Sequence, residues 1–410
     1  MERHGRRGWS EDGSAGGTCP SLSEDLVEKI ISMMPFPSIF KARVLSKAWA
    51  LKYQGKEDLG LSPFQEQVHA LSSRWETFCP AVLKKDTSEV IAYCPSSNCW
   101  QKMASLAYVP GDFSTQDLIT EGSLICGFVV SESSKHEHNL YVTNVLTKAY
   151  RVLPVRPNMT YIGCRHLLHR GSDGYTVVVF SLDPHFRTID EYIFDAQVYD
   201  SKTRAWKTTK VTVENDFYMS PQCSAYVNDT LYILSRHTLG VLTSGQIGML
   251  ALNVQDMKWE RYTLSFPPLN RPCTSVTLVL CAGQILVVVS LAVEPRSEWD
   301  DYDVMRLCYG NAQESLVVMR INPETRRLSV VAQGPPEGLC NGAVHNNPVT
   351  DGTYIYFGAK TSGGSVVAYN VEKDEWSKIP SFSRGGSGMN WGFQWSAFSF
   401  RPGLNPFLPV

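Results

Sequence analysis

One phrase returns six times between residues 92 and 376: an extended stretch, a polar turn, and a bulky closing residue. It reads AYCPSSNCW to Trp100, VTNVLTKAY to Tyr150, VYDSKTRAW to Trp206, ALNVQDMKW to Trp259, MRINPETRRL to Leu328 and AYNVEKDEW to Trp376. Successive anchors stand 50, 56, 53, 69 and 48 residues apart. A two-stranded hairpin is marginal alone in water, so a hairpin repeated at near-constant spacing must bury its faces against its own copies. The closing aromatic is then expected to pack between adjacent copies. Two unrelated β-sandwiches would not produce the even spacing.

Upstream of most anchors lies a glycine or Asp-Thr turn followed by an apolar strand: GSLICGFVVS from Gly122, GYTVVVFS from Gly174, DTLYILS from Asp229, GQILVVVS from Gly283 and GTYIYFGA from Gly352. These read as inner strands lining or flanking an axis. Phrase and period together resemble kelch repeats, in which each copy is one four-stranded propeller blade. The family's double glycine is largely absent, with Gly358-Ala359 and Cys281-Ala282-Gly283 as echoes. The resemblance implies a mainly β protein with a six-bladed kelch-type propeller over residues 75–402. A ring must join its ends or leave strand edges open. The first blade looks one strand short, and WGFQWSAFSFRP, from Trp391 to Pro402, is expected to complete it, leaving 403–410 as a tail. The long interval must hold an insertion, VEPRSEWDDYDVMRLCYGNAQE, from Val293 to Glu314.

Ahead of the repeats, SLSEDLVEKIISMMPFPSIFKARVLSKAW runs from Ser21 to Trp49 and reads as three short helices. Ser21 before Glu24 is a possible capping box, while Ser23 before Glu24 and Asp25 offers another start. Leu22, Leu26, Val27, Ile30, Ile31 and Met34 recur at helical spacing until Pro35 and Pro37 end the run. Ser38 can cap a second helix with Ile39, Phe40, Val44 and Leu45, and Ser46 a third with Trp49. So small a unit cannot bury a core alone, and another surface must cover part of it. That surface is either a partner or the next domain.

This stretch resembles the F-box, whose pattern is roughly Leu-Pro-x-Asp-Leu-x-x-x-Ile-Leu, a Leu-Pro break, then Arg-x-x-x-Val-Cys-Lys-x-Trp. Leu22, Asp25, Leu26, Ile30, Ile31, Met34, Pro35, Ile39, Phe40, Arg43, Val44, Leu45, Lys47 and Trp49 fall on it. Ser23 stands where Pro is preferred and Ser46 where Cys is common. The resemblance implies a domain over 20–60 that docks on a Skp-type adaptor and, through it, on a cullin scaffold and a RING protein. Adaptor contacts are expected at Leu22, Leu26, Ile30, Ile31, Pro35, Phe40, Val44, Leu45 and Trp49, rimmed by Lys41, Arg43 and Lys47. Residues 61–74 form the linker. An F-box followed by kelch repeats is an arrangement abundant in land plants.

Charge narrows the partners. Lys and Arg number 38 against 40 Asp and Glu, which argues against nucleic acid as the main ligand. No apolar run approaches the roughly eighteen residues that cross a bilayer, so no membrane partner is expected. The start, MERHGRRGWSEDGSAGG, has basic residues without a following apolar region; it is not a secretory signal, and 1–19 reads as a disordered tail. Eleven cysteines, an odd number, fit a reduced compartment, the nucleus or cytoplasm. Cys94 and Cys99 have no second pair at zinc-like spacing and read as structural thiols.

Catalytic signatures are weak. His136 and His138 in SESSKHEH read as a solvated loop, and His166 and His169 as strand or turn residues. Glu298, Asp300, Asp301 and Asp303 lack the spacing of a calcium loop. No HExxH, GxSxG or phosphate-cradling loop occurs. The expectation is a non-catalytic chain with no cofactor and no metal: the substrate-recognition subunit of a Skp-cullin-F-box ubiquitin ligase, holding an unknown protein target on its propeller loops. Candidate target contacts are His185, Phe186 and Arg187; Arg236 and His237; Trp299, Tyr302 and Arg306; and His345, chosen for the residue types that dominate interface energetics. The alternatives are an adaptor-binding scaffold acting outside proteolysis and a propeller enzyme.

Overall fold

The protein is represented by a computed structural model that describes Ser23, Leu26 and residues 79–400 outside 85–87, 95–97, 110–111, 114–117, 132–133, 146–147, 155–161, 170–173, 188–190, 215–217, 237–245, 268–272, 293–313, 323, 337, 340–347, 359–365 and 381–394. Two compact units divide the chain, Met1–Val68 and His69–Val410.

The second unit is built from six antiparallel sheets. Sheet one holds β1 (Cys79–Lys84), β2 (Glu89–Cys94) and β3 (Cys99–Ser105). Sheet two holds β4 (Asp112–Phe113), β5 (Ile119–Glu121), β6 (Leu124–Ser131), β7 (Ser134–Asn144) and β8 (Tyr150–Leu153). Sheet three holds β9 (Ile162–His169), β10 (Tyr175–Arg187), β11 (Glu191–Asp200) and β12 (Ala205–Glu214). Sheet four holds β13 (Tyr218–Val227), β14 (Thr230–Arg236), β15 (Gln246–Asn253) and β16 (Lys258–Ser265). Sheet five holds β17 (Cys273–Cys281), β18 (Gln284–Ala292), β19 (Glu314–Ile321) and β20 (Leu328–Gly334). Sheet six holds β21 (Val349–Thr350), β22 (Tyr354–Gly358), β23 (Val366–Asn370) and β24 (Glu375–Ile379). The last strand, β25 (Trp395–Phe400), returns to sheet one.

Closure is visible in two ways. β25 pairs antiparallel with β1 from Cys79↔Phe400 to Lys84↔Trp395, so the end of the chain supplies the strand that the first blade lacks. The first strands also touch in cyclic order: β25 meets β5, β5 meets β9, β9 meets β13, β13 meets β17, β17 meets β21, and β21 meets β25. Six blades therefore surround one axis, as the spacing predicts. The glycine-led apolar runs are the second strands, flanking the axis, while shorter or more polar segments line it.

The core lies between blades. One cluster joins Phe180 and Phe194 of blade three to Leu231 and Leu252 of blade four. Another joins Leu234 and Met249 to Val287 and Met319. A third joins Val288 and Val318 to Phe357 and Tyr369. This explains why Tyr175–Phe180 is buried at every position: a strand sandwiched on both faces loses its alternation. Outer strands are buried at fewer positions, as in β16, where Trp259 and Tyr262 are half-buried and Lys258, Glu260 and Arg261 are exposed.

The recurring phrase folds as a third-to-fourth-strand turn. Its Asx residue accepts from the backbone ahead: Asn253 Oδ1 from Gln255 N at 2.9 Å and Asp256 N at 3.2 Å. Asn322, Asn370 and Asp200 do the same. Four residues further on, Asn98, Lys148, Arg204, Met257, Arg326 and Asp374 all hold positive φ between 49° and 60°. Two anchoring side-chain bonds offset that local strain and make an Asx-led turn repeatable.

One segment departs from expectation. His136 and His138, read as a loop, lie within β7, which pairs with β6 through Val130↔His138. Pairing with an apolar neighbour overrides the poor strand propensity of the polar run.

Candidate functional site

Rigid blades are what allow this unit to present loops, and the anchors create the rigidity. Trp100 Nε1, at the start of the fourth strand of blade one, donates to Pro380 O at the end of the fourth strand of blade six, 2.8 Å away. Trp206 Nε1 donates to Pro154 O in the same way between blades three and two. Trp376 packs where a Cβ on Gly334, at the end of β20, would lie 3.0 Å from Cε2 and Nε1 of the indole. Ser265 N donates to Arg326 O at 3.1 Å, and Tyr108 Oη donates to Asn144 O at 3.3 Å. Outer strands thus run head to tail around the rim, each aromatic or turn packing on the tail before it. Sequence reading placed the aromatics between blades, which holds for the tryptophans but not for Tyr150, 43% exposed, and it missed their acceptors. The signal was a proline closing several outer strands, at Pro154, Pro335 and Pro380. At the remaining junction Trp259 Nε1 is buried without a partner among the described residues.

Two polar clusters stiffen the inner wall. His166 on β9 hydrogen-bonds through Nε2 to Ser224 Oγ on β13, bridging blades three and four. Desolvation lowers the imidazole from 6.5 to about 4, so it is neutral near neutral pH. Asp351, at the β21–β22 turn, is buried and accepts from Tyr356 Oη at 2.6 Å, Tyr354 N at 2.6 Å and Thr353 N at 2.8 Å. Burial raises its carboxyl above the usual range, and these bonds oppose the rise. Both clusters are built as structural ties. Among the described residues no three His, Cys, Asp or Glu side chains are grouped to hold a metal ion.

In the first unit, Leu26 is the one expected adaptor contact that falls among the described residues. Its backbone N donates to Ser23 Oγ at 3.3 Å and Ser23 O at 3.0 Å, making Ser23 the helix cap. That gives a reason for serine where the F-box pattern prefers proline. The Leu26 side chain is 44% exposed. Leu22, Ile30, Ile31, Pro35, Phe40, Val44, Leu45 and Trp49 lie outside the described residues.

The target candidates can be placed by connectivity. His185, Phe186 and Arg187 end β10, and Arg236 ends β14. His237, Trp299, Tyr302, Arg306 and His345 lie outside the described residues. β10 and β14 are both second strands of their blades, and in a ring of four-stranded meanders second strands end opposite the Asx turns, so the described candidates His185, Phe186, Arg187 and Arg236 stand at the same end.

Among solved structures, the chain is similar to the β-propeller domain of the Trilobed protease from Pyrococcus furiosus, at 12% identity over 65% of this chain and 71% of that one, with a TM-score of 0.37. It is also similar to an acylaminoacyl peptidase from Pyrococcus horikoshii, at 10% identity over 72% of this chain and 44% of that one, with a TM-score of 0.38. A curated relative, F-box only protein 6 of Arabidopsis thaliana, is 22% identical over 269 residues, covering 65% of this chain and 51% of that protein. The chain thus spans about half the length of the relative it matches. Residues 19–51 match the F-box domain. The chain therefore carries an F-box domain at residues 19–51 and, in the same chain, a six-bladed ring, and it is similar to a plant F-box protein.

Proposed function

We propose that this chain is the substrate-recognition subunit of a Skp-cullin-F-box ubiquitin ligase, its F-box docking on a Skp-type adaptor and its propeller holding a protein target. The observation that carries this reading is the presence, in one chain, of the F-box match over 19–51 and a closed ring over 79–400. Exposure of Leu26 supports it, because an apolar side chain on an F-box helix is available to a partner's groove. The mechanism is proximity: a target held on the ring meets a charged ubiquitin carrier at raised effective concentration, and the chain itself supplies no catalytic group. The kelch-type character of the repeats and a nuclear or cytoplasmic location belong to the same proposal.

Affinity purification under proteasome inhibition tests it, comparing the intact chain with one lacking the residues before Trp75. The intact chain should bring down the adaptor and stabilised targets, and the shortened chain only targets. Leu26→Ala combined with Pro35→Ala should abolish adaptor capture while the propeller stays folded. Adaptor capture at full strength by that variant overturns the docking assignment. Bound proteins whose abundance ignores proteasome inhibition favour a scaffold acting outside proteolysis.

A further inference from the structure

We propose that Cys94 and Cys99 form a reversible disulfide across the turn end of the β2–β3 hairpin, making blade one a site of oxidative modification. The two cysteines are direct cross-strand partners in that hairpin. Directly opposed residues of an antiparallel pair have Cα atoms about 4.5 or 5.5 Å apart. Both separations fall inside the roughly 4.4–6.8 Å that a disulfide spans.

Cys94 and Cys99 are half-buried, as is Cys273, whereas Cys126 and Cys281 are buried. Burial pushes the Cys281 thiol up to about 11, away from the reactive thiolate. Gln101 Nε2 donates to Cys99 Sγ at 3.4 Å.

Position in the repeat adds a physical reason. Cys94 occupies the place held by Asp200, Asn253, Asn322 and Asn370 in other blades, where a side-chain oxygen accepts two turn N–H groups. Sulfur is a weaker acceptor than those oxygens. Tyr93 Oη reaches across to Asn98 Oδ1 at 2.8 Å, and the Tyr93 and Trp100 rings stand 5.6 Å apart. A covalent bond at this position ties down the hairpin that carries Trp100, in the blade that β25 closes.

The step balances with hydrogen peroxide as oxidant. One thiolate attacks the peroxide, giving a sulfenic acid and one water. The second thiolate then displaces the sulfenic oxygen as another water, leaving the disulfide. Each sulfur gives up one electron, and a dithiol reductant reverses the change.

Peptide mass spectrometry of the intact chain tests this directly. The tryptic peptide spanning residues 86–102 contains both cysteines and no other. After peroxide and alkylation it should be lighter by two hydrogens and carry no alkyl group. Dithiothreitol before alkylation should restore two alkylated cysteines, and oxidised protein should melt at a higher temperature than reduced. Cys94→Ser should abolish both the mass change and the thermal shift. Recovery of the peptide with both cysteines alkylated after peroxide overturns the proposal. So does a bond from either cysteine to another peptide, or irreversible sulfinic acid as the main product.

Discussion

The indole N–H of Trp100 donates to the carbonyl oxygen of Pro380 across 2.8 Å, linking two residues 280 apart in sequence. This contact joins the outer edge of the first blade to that of the last. At the inner edge, β25 does the same by pairing with β1. The ring is therefore sealed twice, once through backbone pairing near the axis and once through a side chain at the rim.

Trp100→Phe keeps an aromatic ring and removes the donor together with the pyrrole part of the indole. Stability to chemical denaturant should fall by about 1 kcal/mol, the net worth of an ordinary hydrogen bond. Trp206→Phe should fall by a similar amount, since it makes the same bond to Pro154. No change in either variant would deny the rim contacts a share in closure.

Ending the chain after residue 394 removes β25 and opens the β1 edge from Cys79 to Lys84. An unpaired edge invites pairing with other chains, so the shortened protein should elute as oligomers. A synthetic peptide covering Trp391 to Pro402 should restore the monomer. Size-exclusion chromatography with and without peptide measures both effects.

Gly334 holds φ +151° at the end of β20, and an added Cβ would meet the Trp376 indole at 3.0 Å and Pro336 Cδ at 3.2 Å. Gly334→Ala should cost about 2 kcal/mol, from backbone strain and overpacking together. Combined with Trp376→Leu, its further cost should shrink, because the indole atoms it strikes are gone and only the contact with Pro336 remains. A double-mutant cycle in urea reads that coupling.

His166 predicts a pH dependence of known sign. Folded, it stays neutral down to about pH 4; unfolded, it takes a proton below its ordinary 6.5. The unfolded chain thus binds more protons between those values, and stability falls as pH drops from 6.5 towards 4. Between neutral pH and pH 5 wild type should lose about 2 kcal/mol more than His166→Gln. Parallel unfolding curves for the two proteins at both pH values would remove His166 from the acid response.

Legibility in the sequence followed locality. The Asx turns at Asp200, Asn253, Asn322 and Asn370 and the aromatics after them form one short hairpin, so their repetition was readable without knowing what they touched. The F-box pattern was readable for the same reason, within one run from Leu22 to Trp49. By contrast, β21 is two residues long and β9 begins Ile-Gly-Cys-Arg-His, and neither announces a strand at the axis.

The amino-acid order alone determined the number of blades, the class of turn and the identity of the anchors, because each depends on residues within about ten positions of one another. Only the tertiary structure decided that Trp100 finds Pro380, that His166 finds Ser224, and that Cys94 stands opposite Cys99 in the closing blade. The first two pairings depend on how a ring brings distant segments together, and the third on the register of one hairpin, neither of which is set by residue type.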